Sequence, residues 1–408
     1  MLRDLQTSRN STNLLEMNKQ QIPIVVVAYN RPKSLSRLLD SLKKANYPSS
    51  DIPLVISIDN GENNQDVLLM AKEFDWIHGE KEVLYNEENL GLRKHILKCG
   101  SLALHHGNVI VLEDDLYVSQ NFYYYASRAL AFSEDKNYIG GISLYKHQRN
   151  VNNGMNFTPI EDGFDNWYFQ FASSWGQAWS AKQFKDFLTW YENNQQIPEA
   201  LELPKFVLNW SEKSWLKYYI AYLVATGKFF LYPKISLTTN FSDKGTHAAS
   251  DSTDYQVNLL VADKKEYSFS SLTVSASVYD VYFENANIYK ALGIAAEDLC
   301  VDLYNYRKTY NKRFVLTPRI LNYELLKTFG RSLKPRDANI IENISGIDYF
   351  LYDTQKDGIN KFSINRMREI LYEKKSITRG DALYLYLELS KEKFRRAIKK
   401  ITSLFSSK

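Results

Sequence analysis

Only two cysteines, Cys99 and Cys300, occur in 408 residues. Two widely separated thiols make neither a disulfide framework nor a zinc cluster. A reducing cytoplasm is therefore the expected setting, and the sequon at Asn10 is expected to carry no glycan. No run of about 18 apolar residues exists, so no transmembrane helix is expected. Residues 1–20 lack the apolar block of a signal peptide and read as a short lead-in. Internal repeats and low-complexity tracts are missing too. The body also lacks an excess of positive charge. Residues 391–408 carry seven Lys/Arg and one Glu, or +6, against +4 for the whole chain, which leaves −2 for residues 1–390. That excludes a nucleic-acid-binding body and confines the basic character to the tail. Glycine is missing from "AYNRPKS", Ala28 to Ser34, which argues against the Gly-rich phosphate loop of a sugar nucleotidyltransferase.

With 44% hydrophobic and 24% charged residues, the chain has ample material for a core and is long enough for two or three domains. "IPIVVVAY", from Ile22, is a continuous β-branched run, as in a strand buried on both faces of a parallel sheet. Pro32 suits a first helical turn, and Leu35, Leu38, Leu39 and Leu42 then repeat at helical spacing. "PLVISIDNG" is a second strand with a turn at its end, "KEVLYNEENLGL" a short strand and loop, and "RKHILKCGSLALHH" a helix. "VIVLEDDLYVS", Val109 to Ser119, is a further strand. The order β-α-β-α-β-α-β predicts an α/β domain with a mostly parallel sheet flanked by helices. Ligands of such sheets sit beyond the carboxyl ends of the strands. Those ends read "AYNR", "SIDNG" and "LEDD".

Three carboxylates in a row, Glu113, Asp114 and Asp115, need a cationic partner. If the extended geometry persists, Glu113 and Asp115 point one way and Asp114 the other. Hard oxygen ligands suit Mg²⁺ or Mn²⁺, which would neutralise a departing nucleoside diphosphate. The plainer reading is a solvated cap of the following helix, and the cluster alone leaves both open.

"IPIVVVAYNRP", "SIDNG", "NLGLRKHI", "VIVLEDDLYVSQNF", "ASSWGQAW" and "LYPKISLTTNFSDKGTH" occur in this order over residues 20 to 250. Together they resemble glycosyltransferases of the GT-A (Rossmann-like) fold. The nearest are bacterial family-2-like polysaccharide enzymes similar to the N-acetylglucosaminyltransferase I group, which branches N-glycans. The resemblance implies a metal-dependent, inverting transfer of a hexosyl or N-acetylhexosaminyl group. The donor would be a nucleotide sugar, such as a UDP-sugar. The acceptor would be a glycan or lipid-linked glycan in surface polysaccharide synthesis. It implies Asp115 as ligand to Mn²⁺ or Mg²⁺, Glu113 facing the donor ribose, and Asp114 by the donor sugar or phosphate. Arg31, beside Tyr29 and Asn30, would meet the diphosphate, as a guanidinium fork can. Asp59 would accept from the uracil ring nitrogen, though an Asp before Gly61 also suits a turn. His95 would face the nucleotide, with Arg93 making the loop electropositive; by itself it reads as a helix-surface residue. His247, in "DKGTH", would join the metal or diphosphate from a closing lid.

Trp175 and Trp179 lie where donor and acceptor sugars would meet, and are i, i+4 partners if helical. They could stack on sugars or pack in a core. The acceptor hydroxyl needs a base. The family carries an Asp where this chain has Leu216. Glu212 would share a helix face with that position one turn away, which makes it the candidate, ahead of the more distant Asp165 and Asp162. Leu216 also keeps open a non-catalytic, donor-binding or scaffold member of a glycan-synthesis complex. The expected organisation is a lead-in over 1–20, a catalytic domain over 21–265, and a mainly helical region over 266–408. Phe394, Ile398, Ile401 and Phe405 fall near one helical face of the basic tail. That suits an anionic membrane surface, placing the protein on the inner face, or else packing on its own domain.

Overall fold

Every residue of Ile24–Ala28 (β1) is buried, and its side chains divide between two cores. Ile24, Val26 and Ala28 join one, Val25 and Val27 the other. This is the period of two in a strand covered on both sides, and it explains the unbroken β-branched run. Helix Pro32–Lys43 covers the first side with Leu35, Leu38, Leu39 and Leu42, aided by helix Phe122–Ser133. Each such leucine contributes roughly 1.5–3 kcal/mol relative to exposure. Helices Gly91–Gly100, Ala181–Asn193 and Trp215–Thr226 cover the second side. The computed structural model describes residues 21–62, 64–241, 243, 255–374 and 378–405. The lead-in over 1–20 lies outside them.

β1 is parallel to Leu54–Ile58 (β2), which is parallel to Lys81–Tyr85 (β3). On its other side β1 is parallel to Asn108–Glu113 (β4). The chain then forms Leu116–Val118 (β5), Ile139–Ser143 (β6), Asn166–Phe169 (β7), Gln177–Ser180 (β8), Phe229–Pro233 (β9), Thr238–Asn240 (β10) and Val278–Tyr279 (β11). Nine strands make one sheet in the order β11-β7-β9-β6-β8-β4-β1-β2-β3, and β5 pairs separately with β10. β8 runs antiparallel between β4 and β6, but parallel pairings predominate. The fold is the expected mixed α/β type, consistent with GT-A.

Three expectations change. The sheet does not end near residue 265: β11 joins it beside β7, and Ser270 bonds Asn166 through its backbone N–H at 2.7 Å. The region beyond is not mainly helical either. Leu299–Val301 (β12), Phe314–Thr317 (β13), Tyr323–Phe329 (β14) and Tyr349–Asp357 (β15) form a second sheet, ordered β12-β13-β15-β14. Its Leu299, Leu316, Phe329, Tyr349 and Leu351 form a core with Ile288, Leu303 and Ile340. Longer helices come only after it, at Arg366–Glu373 and Arg379–Phe405. Register shifts within β14 break its alternation, so "YELLKTF" carries no clean period of two. Lastly, Trp175 and Trp179 are not helical. Gly176 between them has φ +93°, a left-handed conformation that favours glycine, and Trp179 lies in β8.

Candidate active site

The carboxyl ends of β1 and β4 lie side by side, with Val27 level with Glu113. Beyond Glu113 the strand geometry stops: Asp114 and Asp115 form a turn into β5. The expected alternation therefore ends at Glu113, and Asp114 and Asp115 both reach Arg31. Arg31 precedes helix Pro32–Lys43, makes no side-chain cap bond there, and turns back to the acids. Its Nη1 donates to Asp115 Oδ2 at 3.0 Å and its Nη2 to Asp114 Oδ1. The Tyr29 backbone N–H also donates to Asp114. Burial pushes the Asp114 carboxyl up to about 6, against the pull of Arg31. Burial, with Asp115 and Asp114 adding to it, holds Glu113 well above the usual carboxylate range. Asparagine 30 is exposed, and Tyr29 is half-buried over Gly61, where a Cβ would fall 2.4 Å from the tyrosine Cε2. A larger residue at Gly61 would have to displace the Tyr29 ring.

Two carboxylate oxygens here, Glu113 Oε1 and Asp115 Oδ1, are buried without a hydrogen-bond partner. Orphaned oxygens of this kind fit a hard divalent cation such as Mn²⁺ or Mg²⁺. No group of three His, Cys, Asp or Glu side chains able to hold a metal exists among the described residues. His247 lies outside the described residues. A cation bound at Asp115 and Glu113 would supply charge neutralisation for a departing diphosphate. Arg31 already places a fixed positive charge beside the same carboxylates. Phe241 directly follows β10. Phe241 N–H donates to the Asp115 carbonyl at 3.1 Å, and Asp243 accepts from Ser34 Oγ at 2.7 Å and from Arg37.

Asp59, at the end of β2, is engaged at both oxygens. Oδ1 accepts from Leu90 N–H and Oδ2 from Gly91 N–H, each at 2.9 Å, which fixes the start of helix Gly91–Gly100. Any base recognition would use its remaining lone pairs. His95 is neither on the helix surface nor open to the site. It is buried against β2, with Nε2 2.8 Å from Ser57 Oγ, and burial lowers its pKa to about 4. Arg93 lies over the Tyr218 ring at 5.2 Å, away from the acids' own bonds.

On the β8 side is a cavity of about 320 Å³. β8 begins at Gln177, and a Cβ on Gly176, next to Trp175, would fall 3.3 Å from Leu112 Cδ2, one residue before Glu113. Trp175 lines the cavity with His147, Arg149, Phe171, Trp210, Leu216 and Tyr255. Trp179 does not: it is 0% exposed and stacks on Tyr219 at 5.7 Å, so of the two expected sugar platforms one is core. Leu216 stands in the cavity wall, and among the described residues no Asp or Glu lines it. Glu212 is not on the helix face of Leu216, because that helix starts at Trp215 behind the Ser214 cap. Its largely exposed carboxylate accepts from Lys217 and from Tyr218 Oη at 2.5 Å, which keeps its pKa below the usual range. Asp165 holds Lys264 and the Ser268 N–H, and Asp162 the Ser275 hydroxyl. Sequence reasoning missed His147 and Arg149. They follow β6 in "SLYKHQRN", and the strand-end rule that found the acids would have pointed there.

The stretch over residues 24–185 matches the family model for Glycosyl transferase family 2. None of the curated proteins matches the chain. Among solved structures, S. aureus TarS 1-349 is similar at 18% identity and a TM-score of 0.31, over 52% of this chain and 60% of that one. The same TarS fragment in complex with UDP-GlcNAc is similar at 15% identity and a TM-score of 0.36, over 56% and 60%. The mannosyltransferase PcManGT from Pyrobaculum calidifontis, in complex with GDP-Man and Mn²⁺, is similar at 14% identity and a TM-score of 0.29, over 47% and 51%. The chain thus spans less than two thirds of each of these structures. Residues 24–185, less than half of the chain, are similar to glycosyl transferase family 2 domains.

Proposed function

We propose that the protein transfers one sugar from a nucleotide diphosphate sugar, a UDP-sugar in the first instance, to a glycan or lipid-linked glycan acceptor in bacterial surface polysaccharide synthesis. The observation that carries this reading is the strand-end cluster: Arg31 bonded to Asp114 and Asp115, beside two buried carboxylate oxygens that lack partners. Arg31 would bind the diphosphate, and Asp115 with Glu113 would hold Mn²⁺ or Mg²⁺. Asp114 would stay beside the donor sugar. Tyr29, Asn30, Asp59 and Arg93 are proposed to border the donor, with His95 supporting from below. The resemblance to branching N-acetylglucosaminyltransferases supports a hexosyl or N-acetylhexosaminyl group and inversion. Glu212 is the proposed base: it is held ionised two residues from Trp210, which lines the cavity. A thermal-shift screen of UDP-, GDP-, dTDP- and CMP-sugars with and without Mn²⁺ tests the reading, since ligands of the folded state raise apparent stability. A Mn²⁺-dependent shift with one nucleotide class is expected, and no shift with any donor would contradict it. Donor binding without turnover over a panel of acceptors would instead favour the non-catalytic reading.

No helix among the described residues is long and apolar enough to cross a membrane. Helix Arg379–Phe405 carries exposed Leu383, Tyr384, Leu387 and Leu389 ahead of its basic stretch and exposed Phe394 within it. The side chains of Ile398, Ile401 and Phe405 lie outside the described ones. Exposed apolar groups next to a +6 tail support peripheral binding to an anionic inner membrane face. Salt-sensitive binding to anionic vesicles should vanish on deletion of 391–408; equal binding by the truncated chain would remove the tail from this role.

A further inference from the structure

His147 sits in the cavity wall, 3% exposed, among six aromatic rings. Tyr145 lies at 5.3 Å, Trp175 at 5.6 Å, Tyr232 at 5.7 Å, and Phe169, Phe171 and Phe283 at 5.8 Å. Its Nε2 is buried with no partner. A buried polar atom left unpaired is costly, and such groups in native proteins usually mark a ligand, a water or a strained functional site. Nothing charged in the surrounding rings explains this imidazole, and phenylalanine would pack there as well. Burial lowers its pKa to about 3, so it stays neutral at ordinary pH and offers one donor and one acceptor.

The rest of the wall fits one kind of occupant. Phe171, Trp175, Trp210 and Leu216 offer flat apolar surface, and among the described residues Arg149 is the only charged side chain lining the cavity. Aromatic faces with a few fixed polar groups suit the C–H faces and hydroxyls of a sugar. A volume of about 320 Å³, at the small end of ligand pockets, is enough for one pyranose ring. Trp175 lines this cavity, and Gly176 next to it lies against Leu112, the residue before Glu113, so the cavity adjoins the strand end that carries the acids.

We propose that this cavity seats a single pyranose ring, and that His147 selects it by hydrogen bonding to one of its hydroxyls. The inference rests on the glycosyltransferase reading above and adds the residue that would discriminate between sugars differing at one hydroxyl. The ring could belong to the donor sugar or to the end of the acceptor; the chemistry recognised is the same. His147 acts here as a positioning and specificity residue, not as the base.

The test uses the full chain and methyl glucoside, methyl galactoside and methyl N-acetylglucosaminide at millimolar concentration, with binding read by saturation-transfer NMR. Wild type should bind at least one of them and discriminate between them. His147→Phe should weaken the preferred glycoside about tenfold or more and level the discrimination, while UDP binding stays unchanged. Leu216→Trp, which fills the cavity from another wall, should abolish glycoside binding, so the result does not hang on one variant folding. If UDP-sugar displaces the glycoside and UDP does not, the ring is the donor's; if the glycoside binds alongside UDP-sugar, it is the acceptor's. No glycoside binding by wild type, or unchanged preference in His147→Phe, overturns the proposal. Failure of wild type to bind UDP or any other nucleotide while glycosides still bind would instead count against the donor reading alone.

Discussion

Replacing Arg31 by methionine keeps most of its volume and removes its charge and fork. Asp114 has 4% of its side chain exposed and Asp115 13%, so both depend on the guanidinium for compensation. Removing one partner of a buried pair costs roughly 3–5 kcal/mol. Arg31 itself is 24% exposed, which weakens the interaction by solvent screening and brings the expected loss to about 2–3 kcal/mol. At roughly 2–4 °C per kcal/mol for a domain of this size, the melting point should fall by about 5–10 °C. Asp114→Asn in the same background gives a double-mutant cycle. Because the two residues share a bond, the double variant should be less destabilised than the sum of the singles by about 1–3 kcal/mol. The assay is urea unfolding at fixed pH, followed by the fluorescence of the buried Trp167 and Trp179. Additivity within about 0.5 kcal/mol would show that Arg31 does not compensate Asp114, and the electrostatic account of the strand ends would fail. Arg31→Lys should recover part of the stability, since the charge returns, but little donor affinity, since a point charge cannot replace the fork.

Trp175→Ala and Trp179→Ala should separate cleanly. Trp179→Ala should lose about 3–5 kcal/mol of stability because that side chain is fully buried, whereas Trp175→Ala should lower turnover with a much smaller drop in melting point. Equal destabilisation by the two would contradict their assignment to core and cavity. Glu212→Gln should reduce turnover by about 10²-fold, the low end for a general base, because the carboxylate is exposed and held at low pKa, while donor binding stays intact; near-normal turnover would remove Glu212 from the role. His147 carries a pH signature. Its folded pKa of about 3 lies below the unfolded value of about 6.5, so it does not affect stability above pH 6.5. Below that the unfolded chain binds the extra proton, and stability falls with falling pH by up to about 1.4 kcal/mol per unit. Tyr145 and Tyr232, which face it, are raised by burial and stay neutral throughout. His147→Phe should flatten this component between pH 6.5 and 4.5, and identical slopes for the two proteins would contradict the buried neutral state.

The first half of the fold was legible because its strands are covered on both sides. Apolar runs such as "IVVVA" and "LVISI" admit one reading when helical leucine spacing separates them. The acids and Arg31 were legible for the same reason: strand ends are where polar residues must go once the core stops. What stayed hidden depends on contacts distant in sequence. Burial of His95 on Ser57 and of Trp179 on Tyr219 leaves no local mark, since a helix-surface histidine and a core one look alike. Glu212 failed as a face-mate of Leu216 because Ser214 caps the helix after it, a boundary that spacing alone does not give. The second sheet went unseen because β12 has only three residues and β14 is bulged. The cavity is assembled from residues 147 to 255, and only Trp175 was marked in advance as one of its surfaces.

The central claim is that the ends of β1 and β4 form a site for a cation and a nucleoside diphosphate. Calorimetric titration of UDP and of the other nucleoside diphosphates into wild type, Arg31→Met and Asp115→Asn, each with Mn²⁺ and with chelator, tests it most directly. The account predicts tight binding of one nucleotide to wild type with Mn²⁺, and weaker binding with chelator. It predicts at least tenfold loss in Arg31→Met, and loss of the Mn²⁺ enhancement in Asp115→Asn. Binding that ignores Mn²⁺ and is the same in all three proteins would contradict it.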